Sequence, residues 1–586
     1  MNKLLTQHPR ALLATASVAV ALAAADTYVV VLALPDMMAG VGLGIDALQE
    51  ATPIISGFLL GYIAVLPLIG RLSDLVARQR ILLFCLSLFV VGSAITAVSV
   101  ELPVLVGGRV LQGIGGGGLV PATLALVADL WPPERRGTPL GVVGAVQELG
   151  SVLGPLLGAA VLAVADWRAI FWLNVVLGIV IAAVMALTGG PDARPRLRVL
   201  PTVLGLAALG SGLLTLVAPA SLATDVTLGI PFVPFAGTAR LATPMGVLTL
   251  VLLLATSATL ATSARAPVAS GSFLALLRRV DLPGAFCIAV ALGALVLTFA
   301  SADPAREVVG PWGWALVPLG LVALAAYIWR HRVAREPLVP RGLLTTGVSG
   351  GPSRVVPALL VSVLVGVALV AIVVDVPVLA RLTVTGSQTT AALLLVRFLV
   401  AVPVGAFAGG WLLQRLGPAL VAAAGLVLAG AGLVVMSGWG HGSLQSWSTT
   451  PVLVLVGLGL GLALAPVNAA ALASAPHDAH GVVSSLVVLA RMVGMVVGLA
   501  LLTAIGLHRY YAAVAALPDQ SDTVALVAEG VVQVQTVFLG GAVAAFIAAG
   551  IAFALSGPRT RGSGGPVRGH LGRGRSRARP PRPAPR

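Results

Sequence analysis

Apolar residues run along this chain in blocks of roughly twenty, separated by short stretches rich in Arg, Gly and Pro, with little alternation of apolar and polar positions inside a block. At about 1.5 Å per residue, a block of that length crosses a hydrocarbon core of about 30 Å as a helix. A helix closes all of its backbone hydrogen bonds internally, so this is how a continuous apolar run folds in lipid. The pattern predicts spans at about 11–34, 53–69, 81–99, 104–128, 138–164 and 169–188, then about 201–219, 244–264, 281–301 and 312–329, then about 355–378, 389–413, 417–437, 451–473, 481–507 and 532–555. The expected fold class is therefore an all-α polytopic membrane protein with about sixteen spans. The first block lacks a small-residue cleavage site and is read as a retained span.

Charge sets the orientation. Lys3, Arg10, Arg71, Arg78, Arg80, Arg135, Arg136, Arg194, Arg196 and Arg198 fall in loops on one side, and the loops at 35–52 and 100–103 contain no Lys or Arg. The positive-inside bias then puts both termini in the cytoplasm, and the expected location is the cytoplasmic membrane. Composition agrees, with 58% hydrophobic residues and only 10% charged and a mean hydropathy of +1.03. A soluble globular chain is excluded. The reading divides the chain into a six-helix half at 1–190, a central insert of about four helices at 191–345, a second six-helix half at 346–556 and a basic tail at 557–586. From Ser556 onward the tail holds nine arginines, well over half of the +15 net charge. With no hydrophobic periodicity it is expected to be disordered, and without interleaved aromatics it reads as a membrane-facing bias and not a nucleic-acid site.

Cys85 and Cys287 fall near span ends with no metal-ligand spacing, and the seven histidines lie in loops, span ends or tails. No disulfide, metal, cofactor or catalytic residue is expected, and no Walker loop is present to couple the chain to ATP. The chemistry lies in charges placed inside spans, where each costs at least a few kcal/mol unless it faces a cavity or a partner. Glu148 and Arg491 each lie about ten residues from the cytoplasmic start of their spans, near the midplane, where they could face one cavity. Asp26 and Arg109 differ in depth by only about 5 Å and form a plausible pair. Arg397 lies at similar outer depth, with Asp375 as its expected partner. Asn468 is expected in an interhelical hydrogen bond.

Around these charges the small residues are ordered. Gly70, Asp74, Arg78 and Arg80 form a turn between spans two and three in which an acid followed by bases can clasp a neighbouring helix end. GWLLQRLG from Gly410 echoes that turn in the last group of six spans. Arg109 opens RVLQGIGGGG, and Gly150, Gly154 and Gly158 share one face of span five next to Pro155, the composition of a tightly packed, bent helix. DWRAIFWLN follows, with Trp167 and Trp172 at interface depth.

Together, DTYVVVLALP around Asp26, the Gly70 turn, the Arg109–Gly113 segment, the Gly150–Gly158 segment and DWRAIFWLN resemble the major facilitator superfamily, specifically its drug:proton antiporters with additional central helices. Leu75 and Ala77 stand where that family's turn has Arg and Gly, which leaves the strength of the clasp open. The pair of spans at 201–264 is an extra insertion on this comparison. GLGLGLALAPVNAAAL from Gly457 and HGVVSSLVVLARMVGMVVGLALLTAIGLHRYY from His480 are similar to an actinobacterial branch that exports triacylglycerides and also confers drug tolerance. The resemblance implies two six-helix halves, proton-coupled export of a lipidic or amphipathic substrate by alternating access, and a periplasmic lipid-carrier lipoprotein as partner. Proton coupling falls on Asp26 and Glu148, cavity charges on Arg109, Arg491, Arg397 and Asp375, and gating on the Gly70 turn. A multidrug:proton antiporter without a lipid role and a non-transporting scaffold or receptor stay as alternatives, and Glu148 with Arg491 can also be read as a purely structural pair. After His508, HRYYAAVAALPDQSDTVALVAEG is expected to project outward as an apolar helical hairpin.

Overall fold

The computed structural model describes residues 9–43, 48–188, 230–235, 243–263, 280–300, 312–348, 351–384, 388–519 and 522–556, with residue 310 and short pieces of 204–215. The described residues are helical with no strand beyond one isolated bridge, Thr346 to Pro352. Fourteen helices among them are long and apolar enough to cross a membrane. The all-α membrane fold read from the apolar blocks is the fold observed. Most of the expected span at 201–219 and the whole basic tail at 557–586 lie outside the described residues.

Six helices form a first bundle: α1 (Pro9–Gly40), α2 (Leu48–Leu75), α3 (Arg78–Val98), α4 (Leu102–Leu130), α5 (Gly137–Leu162) and α6 (Arg168–Thr188). α4 packs between α2 and α3, and α5 lies along α1. Then come α7 (Pro244–Ser263), which is the second helix of the extra pair, α8 (Leu282–Ala300) and α9 (Gly313–Val333). α8 and α9 pair with each other, and α8 packs on the outside of α2. Arg330 of α9 holds Asp281, just before α8, at 2.9 Å.

The second bundle comprises α10 (Val355–Thr383), α11 (Gln388–Leu399), α12 (Ala401–Leu416), α13 (Pro418–Met436), α14 (Thr449–Ser474), α15 (His480–Ala515) and α16 (Thr523–Ala552). The pattern predicts one span at about 389–413. That span is present as one crossing, built from α11 and α12, which meet at Val400 with helical backbone angles. Pro403 has no N–H to offer the carbonyl of Leu399, so the hydrogen-bond ladder fails there. α15 and α16 run 36 and 30 residues. Those lengths, about 54 and 45 Å, exceed a hydrocarbon core of about 30 Å, as expected for helices that continue beyond the membrane. Asp522 caps α16, accepting from the N–H groups of Val524 and Ala525.

Candidate functional site

The ends of α2 and α12, the start of α3 and the turn after α4 gather Arg71, Arg415, Arg78, Arg80, Arg135 and Arg136 at one end of the molecule, the basic end. The two bundles close on each other there. A Cβ on Gly70 of α2 would strike Ser485 and the carbonyl of Gly481 on α15, and one on Gly410 of α12 would strike the backbone of Gly137 and Gly141 on α5. Only glycine lets these backbones touch. Toward the other end, the close approaches of the site glycines run inside a bundle: Gly150, Gly154 and Gly158 of α5 lie on Ala21, Ala25 and Val29 of α1, and Gly494 and Gly498 of α15 lie on Val363 and Val367 of α10. The described conformation is therefore latched at the basic end.

The latch is charged on one side and neutral on the other. Asp74, with its side chain fully buried, accepts from the N–H groups of Gly481 at 2.7 Å and Val482 at 3.0 Å. A carboxylate at the start of α15 satisfies donors that no helical partner can reach and meets the positive end of the helix dipole. Arg78 joins Asp74 at 2.9 Å to Asp129 of α4 at 3.1 Å. In the echoed turn Gln414 stands four residues after Gly410 as Asp74 stands four after Gly70, and its amide donates to Thr138 of α5 at 3.2 Å. Arg71 lies 3.7 Å from Glu336.

Midway along the bundle, Glu148 of α5 and Arg491 of α15 meet at 3.3 Å, joining the two bundles. Their side chains are 13% and 12% exposed, enough for water to reach them. Two adjoining cavities share Val120, Gln147 and Arg491 in their walls, and Glu148 lines the second with Thr27, Phe58, Tyr62 and Met495. They offer about 30 and 80 Å³ to the centres of water molecules. Ligand pockets typically hold about 300–1,000 Å³. In this conformation the centre has room for water and none for a lipid.

Asp26 belongs to a separate network, wholly inside the first bundle. Its carboxylate takes Arg109 at 2.5 Å, Gln112 at 2.8 Å and Asn174 of α6 at 2.6 Å. Arg109 also donates to the carbonyl of Ile54 at 3.2 Å and to Gln112 at 2.7 Å, and it lies 4.5 Å over the ring of Phe58. Gln112 completes the set on Ser93 at 2.9 Å. Every charge here has partners, the condition under which a buried pair is tolerated. Gln112 and Asn174 join the network beyond the charges expected there. Gln112 follows Arg109 by three residues on the same helical face, and Asn174 closes the quoted DWRAIFWLN segment, so both carried a readable signal.

Of the four charges expected in the cavity, Arg491 alone lines either of the two described. Arg109 is held in the Asp26 network. Arg397 donates to Thr450 at 3.0 Å and lies 5.7 Å over Trp447, and no ion pair joins it to Asp375 among the described residues. Asp375 is buried, with one carboxylate oxygen lacking a hydrogen-bond partner. Depth alone does not fix which way Arg397 faces about the axis of its helix. Asn468 donates to Leu464 on its own helix at 2.9 Å rather than across helices, and it lines the first cavity.

At the basic end, Asp129, His477 and His480 each bring one donor atom within 4.8 Å of the other two. Their grouping is not legible in the sequence, since Asp129 lies at the end of α4, His477 in the turn after α14 and His480 at the start of α15.

Comparison with known proteins follows the same lines. The Major Facilitator Superfamily model matches residues 16–309 and 284–499. The chain is 36% identical over 516 residues to the triacylglyceride transporter of Mycobacteroides abscessus, covering 86% of this chain and 84% of that protein. It is 34% identical to the triacylglyceride transporter of Mycobacterium tuberculosis, covering 86% and 83%. Among solved structures it is similar in fold to the human organic anion transporter MFSD10, with a TM-score of 0.55 at 15% identity, covering 93% of this chain and 99% of that one.

Proposed function

The chain belongs to the Major Facilitator Superfamily, and we propose that it is a proton-coupled secondary transporter that exports triacylglyceride-like lipids across the cytoplasmic membrane by alternating access. In this reading the basic end is cytoplasmic, as the arginine bias suggests, and both termini lie on that side. The observation that carries the mechanism is the Glu148–Arg491 pair, which ties the two bundles together beside small, water-accessible cavities. The substrate class is drawn from the named activity of relatives that align over most of both chains.

A carboxylate exchanges a proton far more readily than a guanidinium, so in this reading Glu148 is the member of the pair that switches. While Glu148 is ionised, attraction of a few kcal/mol holds the bundles at midplane. A proton entering from the outer side neutralises the carboxylate and removes that attraction. The basic-end latch at Asp74 and Gly410 then opens, the cavity widens toward the cytoplasmic leaflet, and loss of the proton inward resets the pair. Asp26 acts on the same cycle from one side. Its neighbour Ala25 receives Gly154 of α5, so a change of charge at Asp26 alters how α1 seats α5, and with it Glu148.

Exposed Leu501, Ile505, Tyr511 and Val524 on the long α15–α16 hairpin would cover an acyl chain leaving the outer side or meet a periplasmic lipid-carrier lipoprotein. The test is a reconstituted assay with a triacylglyceride and, separately, a cationic drug, each with and without an inward proton gradient. Gradient-dependent movement of the triacylglyceride supports the proposal. Movement of the drug alone favours the antiporter reading, and movement of neither rejects transport.

A further inference from the structure

We propose that Asp129, His477 and His480 form a site for a borderline divalent metal of the Zn²⁺ type, and that the bound ion clamps the basic end shut. The three residues come from both bundles: Asp129 ends α4, while His477 and His480 bracket the turn into α15. His477 Nε2 lies 3.8 Å from Asp129 Oδ1, and the two imidazole rings stand 5.2 Å apart.

Two of the donor atoms are already committed by their surroundings. His480 is 3% exposed, and its Nδ1 is buried with no hydrogen-bond partner. That leaves Nδ1 a buried atom with an unmet hydrogen-bonding need, which a cation at this place would fill. Asp129 repeats the pattern. Arg78 takes Oδ2 at 3.1 Å, and Oδ1 is buried without a hydrogen-bond partner.

His477 is the adjustable member, with a side chain 77% exposed. Rotation about its free χ angles brings its nitrogen to the spacing of about 3.4 Å that tetrahedral zinc requires of neighbouring ligands. Water takes the fourth position. Two imidazoles and one carboxylate suit Zn²⁺ and disfavour Mg²⁺ and Ca²⁺, which take oxygen ligands. Arg78 and Arg136 add positive charge nearby and keep the affinity below that of a structural zinc site. Because one ligand belongs to the first bundle and two to the second, an ion held by all three binds only while the latch is closed. Linkage then requires that the ion favour the closed state. The binding stands apart from the transport reading, whereas the clamp rests on it.

The experiment uses the full chain in lipid nanodiscs titrated calorimetrically with ZnCl₂, with MgCl₂ as control. His477→Ala removes an exposed ligand without disturbing the packing, and His441→Ala removes an exposed loop histidine elsewhere. One Zn²⁺ site is expected in the wild type and in His441→Ala, and at least about tenfold weaker binding in His477→Ala. Spin labels at the exposed positions Glu134 and Arg415 then report the basic end, and Zn²⁺ should narrow their distances to the closed value in the wild type and in His441→Ala but not in His477→Ala. Equal binding by the wild type and His477→Ala, or none by either, overturns the site. Binding lost in His477→Ala with no change in label distances overturns the clamp and leaves the transport reading untouched.

Discussion

Asp74→Asn should open the basic end far more than any change to the corresponding Gln414. The substitution keeps one acceptor oxygen but removes the charge that faces Arg78 at 2.9 Å and the N–H groups of Gly481 and Val482. Hydrogen bonds to a charged group contribute about 1.5–3 kcal/mol, and truncating one side of a buried pair costs about 3–5 kcal/mol. Arg78 keeps Asp129 at 3.1 Å, which offsets part of that loss. About 2 kcal/mol remains as the weakening of the closed state, because only closure brings Gly481 and Val482 to Asp74. That is about a 30-fold shift of the closed-to-open equilibrium. Gln414→Ala removes one neutral hydrogen bond to Thr138 at 3.2 Å, worth about 0.5–1.5 kcal/mol where buried and less at this exposed position. Its shift should stay below about fivefold. Labels at Glu134 and Arg415, read as distance distributions in nanodiscs without added metal, measure both variants. An Asp74→Asn distribution equal to the wild type, or a larger shift for Gln414→Ala, would refute the reasoning.

The two candidate coupling acids should separate in thermal unfolding. Asp26→Asn strands the buried Arg109 and should cost about 3–5 kcal/mol of stability, whereas Glu148→Gln leaves Arg491 on a cavity wall that water can reach and should cost clearly less; equal losses would contradict the two environments. Gly154→Leu should push α5 off Ala25 and destabilise by about 1–3 kcal/mol as an overpacked interface, which unfolding of the purified variant reads directly. Replacing residues 512–529 with a Gly/Ser linker should lower triacylglyceride export several-fold more than export of a small soluble drug, and equal loss of both would remove the hairpin from the lipid path.

Much of this arrangement could be read before any coordinates. Apolar blocks are local signals, so the spans emerged from them, and a fixed rise per residue placed Asp26 level with Arg109 and Glu148 level with Arg491. Both pairs are present in the structure. Depth carries no information on rotation about a helix axis, however, and that is where Arg397 was assigned the wrong neighbour and Asn468 the wrong kind of hydrogen bond. Asp129, His477 and His480 could not be grouped from the sequence because only the docking of α4 against the start of α15 brings them together. The cap that Asp74 places on α15 depends on the same docking. The Gly70 turn announced a clasp, but its partner is a helix end with no charge of its own.

The central claim is that Glu148 carries the proton that drives the cycle. The most direct measurement compares two modes of triacylglyceride movement in proteoliposomes containing Glu148→Gln: export driven by a proton gradient, and exchange at equal pH on both sides. An amide keeps the shape of the carboxyl but cannot ionise. The account predicts that gradient-driven export is lost while exchange persists, because the bundles still rock when no proton has to be released. Gradient-driven export at the wild-type rate in a folded Glu148→Gln variant would contradict it.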